Sequence, residues 1–94
     1  MGGASDVYQF SLQRVQESPL VRETLGEPLD AGLFMAGNIQ VSGPVGQADI
    51  SFSIKGPSDK GTVYVKAHKE MGRWIYDQIV IERESDHQRL DLTP

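Results

Sequence analysis

His68 and His87 are the only two imidazoles in this 94-residue chain, and there is no cysteine. Metal binding or proton transfer would have to be built around them, with carboxylates or a second histidine at ligand spacing. His68 falls on an outward strand position beside Lys66, and His87 falls in a turn. Neither has a second histidine or a carboxylate pair at metal-ligand spacing, so both read as surface residues. Ser51 and Ser53 alternate along a strand, but no base stands near them, and a nucleophile needs one within hydrogen-bond reach. Glu82 and Glu84 read as a solvated strand end. Gly56-x-x-x-x-Gly61-Thr62 has the glycine spacing of a phosphate-binding loop. The lysine that should follow the second glycine is missing, and the segment leads into a strand instead of a helix. No catalytic residue, cofactor or metal is therefore expected.

The composition narrows the classes further. A chain of this length is one domain, expected over 4–93, large enough for a real core and only marginally stable. Without cysteine there is no disulfide. A net charge of −4 argues against a general nucleic-acid binder, which would carry a basic patch. No apolar run approaches the roughly 20 residues that span a bilayer. Met1-Gly2-Gly3 reads as an added start, which leaves room for a native anchor ahead of the domain. The myristoylation pattern fails at Asp6.

Ser5-Asp6 can cap a first helix running to about Glu17. Val7, Tyr8, Leu12 and Val15 fall on one helical face, with Ser11 among them. Ser18 suits an N-cap, Pro19 the first helical position and Gly26 the C-terminal stop of a short second helix. After Asp30 the period changes to two. Leu33, Met35, Ile39 and Val41 share one parity, with Gly37 between them. Ser42-Gly43-Pro44 turns the chain. Ala48, Ile50, Phe52 and Ile54 then alternate with Asp49, Ser51, Ser53 and Lys55, the cleanest half-buried strand in the sequence. A loop from Lys55 to Gly61 leads into a hairpin ending near Arg83, and Leu90 and Leu92 open a last short strand.

In that hairpin, Val63, Val65 and Ala67 should face the core while Tyr64, Lys66 and His68 face away. Trp74 and Tyr76 share one parity, and Ile79 and Ile81 share the other. A β-bulge near Asp77-Gln78 places all four on the core side and keeps Asp77 out of it. Ile75 and Val80 then face away; without the bulge, Trp74, Tyr76 and Val80 would. The expected fold is α+β, with an N-terminal helix and a short helix on one face of an antiparallel sheet of four or five strands. The first helix should lie over Ile50, Val63 and Val65. The free face would carry Tyr64, Lys66, His68, Ile75 and Val80 as candidate partner-binding residues, with Asp49, Ser51 and Ser53 beside them.

Taken together, Leu25-Gly26-Glu27-Pro28-Leu29, Gly32, Gly37, Lys55-Gly56-Pro57, Gly61 through Ala67, Gly72-Arg73-Trp74 and Leu90-Asp91-Leu92 form a pattern spanning Ala4 to Thr93. It resembles the cytochrome oxidase complex assembly factor family. More distantly it is similar to the intermembrane-space domain of the small regulatory subunit of the mitochondrial presequence translocase. The resemblance implies a membrane anchor preceding the domain and a non-enzymatic role in assembling a respiratory oxidase. It implies a membrane-protein partner such as oxidase subunits, and a setting in the periplasm or the mitochondrial intermembrane space. It carries over no catalytic residues. A small-ligand or inhibitor scaffold is the alternative. A cystatin-like inhibitor would need Gln-x-Val-x-Gly, and Gln40-Val41-Ser42-Gly43 falls one residue short.

Overall fold

The computed structural model describes residues 4–94; the start at 1–3 lies outside the described residues. Helix α1 spans Ala4–Glu17 and α2 spans Pro19–Leu25. Five strands follow: β1 (Asp30–Ser42), β2 (Val45–Lys55), β3 (Lys60–Glu70), β4 (Arg73–Arg83) and β5 (Arg89–Asp91). They form one antiparallel meander in the order β1-β2-β3-β4-β5. This is the expected α+β class.

The helices stop and start where their sequence says. Ser18 sits in extended conformation, and its Oγ accepts a hydrogen bond from the Val21 N–H at 3.3 Å. Gly26 ends α2 with φ at 87°, and its N–H donates to the Arg22 carbonyl. The stripe of α1 is buried: Val7, Ser11 and Val15 are fully covered, and Tyr8 and Leu12 pack against the core. Ser11 satisfies its hydroxyl by donating to the Val7 carbonyl at 2.8 Å.

Val7 and Val15 share one buried cluster with Ile50, Val63 and Val65, as the matching stripes require. Tyr8 meets Phe52 edge to face at 5.0 Å, and Phe10 stacks on Tyr76 at 4.1 Å. At the far end Arg14 donates twice to the Leu92 carbonyl, tying α1 to the residues after β5.

The hairpins use turns whose twist matches the sheet. Met71 and Gly72 both have positive φ, 52° and 76°, as a type I′ turn demands. The bulge expected in β4 is present: Lys66 pairs with Gln78 and Ala67 with Tyr76, so Asp77 is the extra residue. Trp74, Tyr76, Ile79 and Ile81 all turn toward the helices.

β1 holds a second irregularity that was not expected. Ala31 pairs with Ile54 and Met35 with Phe52, so Gly32, Leu33 and Phe34 stand opposite Ser53 alone. Met35, Ile39 and Val41 keep the core-side parity, but Leu33 is thrown outward and is 94% exposed. A run of consecutive apolar residues has no alternation to hold it against the sheet.

Candidate functional site

One face of the sheet is taken by the helices, so the candidate surface is the other. β2 supplies Asp49, Ser51 and Ser53 there, and β3 supplies Tyr64, Lys66 and His68. The Asp77 bulge sets which β4 residues join them. It places Ile75 opposite His68 and Val80 opposite Tyr64. Tyr64 and Ile75 remain 38% and 40% exposed.

Val80 lies on this face as expected but is not available to a partner: it is 7% exposed. Its cross-strand neighbours are Tyr64 and Asp91. Arg89, held by Glu82 at 2.9 Å, reaches across β4 until its guanidinium lies 5.4 Å from the centre of the Tyr64 ring. That bridge comes from β5, far along the chain, and no local pattern announces it.

His68 differs from the isolated surface histidine that the spacing implied. Its Nδ1 lies 2.7 Å from the Asp77 carboxylate, and its Nε2 lies 3.6 Å from Glu70. The bulge makes the closer contact, because it swings Asp77 away from the core and out beside the ring. Asp77 and His68, with Asn38, Gln40, Asp49 and Lys66, border an open depression of about 480 Å³. No group of three or more metal-ligating side chains forms a site among the described residues. Among the described residues the His87 ring, in the last turn, pairs only with Glu82, at 3.1 Å.

The hydrogen bond to Asp77 raises the His68 pKa above its ordinary value, with the Glu70 charge adding to the effect. A histidine raised in the folded state adds stability while it is protonated. That contribution is complete below its unfolded value, about 6.5, and is lost as pH rises through the folded value. Asp77→Asn should therefore move the His68 titration back down, as read from its ring proton shifts by NMR. An unmoved titration would mean that the 2.7 Å contact does not exist in solution.

Between helix and sheet, Tyr8 is seated on Phe52 and Phe10 on Tyr76. The depression lies on the other face, is open and is bordered mainly by polar groups, which suits a protein surface better than an enclosed small molecule. Among the described residues no helix is long and apolar enough to cross a membrane.

No curated protein and no solved structure matches the chain. A family model does: that of cytochrome oxidase complex assembly protein 1 matches residues 3–94. The match takes in both helices, all five strands and the bare sheet face. The chain belongs to the family of cytochrome oxidase complex assembly protein 1.

Proposed function

We propose that this domain is a non-enzymatic docking module in cytochrome oxidase assembly, and that its helix-free sheet face meets the partner. The observation that carries the reading is that face itself. Tyr64 and Ile75 stand half-exposed among Lys66, His68, Asp49 and Ser53. An aromatic and an aliphatic anchor ringed by polar groups is the usual make-up of an interface hot spot. Val80 supports Tyr64 from the neighbouring strand without meeting the partner. The partner is a membrane protein, for which oxidase subunits are the candidates given the family's name. An anchor ahead of the domain would hold it at the membrane on the extracytoplasmic side.

The test is capture from mild detergent with the full-length, anchored protein. Tyr64→Ala combined with Lys66→Glu should lower recovery of oxidase subunits on the order of tenfold, the loss expected for a hot-spot pair. The melting temperature should fall only modestly, since Lys66 is exposed and Tyr64, half-exposed, gives up its contacts with Val80 and Arg89 but no place in the core between helix and sheet. Equal recovery of the same subunits by the variant would place the contact elsewhere.

A further inference from the structure

β1 ends the sheet, and its outer edge pairs with no strand of the described chain. Hairpin geometry says which backbone groups that edge presents. Ser42 and Val45 flank the two-residue Gly43-Pro44 turn, so they are hydrogen-bonded to each other. Bonded and non-bonded pairs then alternate along an antiparallel ladder. The register runs unshifted from that turn to Met35 opposite Phe52. By that alternation the N–H and C=O groups of Val41, Ile39, Gly37 and Met35 face away from β2, with Gly37, at φ 110°, departing from the regular extended conformation between them. A row of this kind is a template for another strand.

Proteins usually block such a template with lysine, proline or an inward charge. From Ala31 to Ser42 there is no charged residue and no proline. The bulge at residues 32–34 protects only the stretch before Met35. Beyond it, Met35 and Val41 are 42% and 44% exposed on the same side of the strand.

We propose that this edge is closed by β1 of a second copy of the chain, antiparallel, about a two-fold axis at Asn38. This register sets Met35 opposite Val41 of the other copy and Gly37 opposite Ile39, so all four outward-bonding residues are paired. Moving the axis one residue either way pairs only three and sets the fourth against the bulge or the Gly43-Pro44 turn. The absence of charge means that no like charges meet across the axis. The other edge strand, β5, has three residues, too few to receive a stretch of this length in a head-to-tail ribbon. The contact therefore closes as a symmetric pair.

The whole 94-residue chain is measured by light scattering on a sizing column over a concentration series. The expected species is a dimer. Met35→Glu with Val41→Glu sets like charges opposite each other and should give a monomer. Met35→Lys with Val41→Glu sets opposite charges across the same axis and should restore the dimer. Amide hydrogen exchange gives a second reading that needs no variant. Val41 and Ile39 should exchange at least about tenfold faster on dilution, while Gln40 and Ser42, bonded to β2, stay protected. A wild type that is monomeric up to millimolar concentration would overturn the proposal and leave the edge to a strand from another protein. So would a dimer that survives the double glutamate variant, or a charge-swapped variant that stays monomeric.

Discussion

Phe52→Ala is expected to lower the unfolding free energy by about 3–5 kcal/mol, the usual cost of emptying a buried phenylalanine site. The ring is 2% exposed in the middle of β2. It stands between Met35 of β1 and Val63 of β3, and Tyr8 of α1 meets it edge to face. Truncation removes the surface on which α1 rests as well as the apolar area. A domain of this class has only about 5–15 kcal/mol to lose. The melting temperature should fall by more than about 12 °C, at about 4 °C or more for each kcal/mol in a chain this short. Urea unfolding followed by circular dichroism reads it directly. A variant melting within a degree or two of the wild type would show that α1 does not sit on this strand.

Gly56→Ala should be nearly as damaging, for a different reason. A Cβ at Gly56 would lie 2.3 Å from the Leu25 carbonyl oxygen and 2.8 Å from that of Gly26. Both obstacles are backbone, so neither can rotate away. The Leu25 carbonyl is also the acceptor for the Ser58 N–H at 2.8 Å and the Asp59 N–H at 3.3 Å. These bonds fasten the end of α2 to the loop between β2 and β3. An added methyl would push the two apart, and overpacking of this kind costs about 3 kcal/mol at the upper end of its usual range. Equilibrium unfolding would measure the loss. A stability equal to that of wild type would mean that α2 and the loop do not touch as described.

How much of this was legible in the sequence depends on how far apart the determining residues lie. The α1 stripe and the β2 alternation are local periodic signals, and each names its own buried face. The Asp77 bulge was legible too, because the apolar parity switches sides between Tyr76 and Ile79 and a carboxylate stands at the switch. The β1 bulge was not, because Leu33-Phe34-Met35 is apolar at every position and marks neither face. The candidate site was legible as a face and not as an arrangement. Tyr64, Lys66, His68 and Ile75 follow from parity once the bulge is placed. The burial of Val80 depends on Arg89 crossing from β5, and the His68 contact depends on Asp77 leaving the ladder. The first contact skips over a whole strand and the second needs the bulged register, and alternation along a single strand encodes neither.

The strand order has a bearing on how the chain reaches its native state. Each strand pairs only with its neighbours in sequence, across connections as short as Gly43-Pro44 and Met71-Gly72. Short closures cost little loop entropy, so each hairpin can form without waiting for distant segments. The β2–β3–β4 ladder can zip from its turns with no search for remote partners, which places the sheet among the faster β topologies. α1 is the exception. Its anchors are Phe52, Tyr76 and the Leu92 carbonyl, so its docking completes only when the opposite end of the chain is in place. During synthesis the first element of the domain is thus the last of it to be secured. Until Leu92 has emerged, the apolar stripe of Val7, Tyr8, Leu12 and Val15 is left without its full seat.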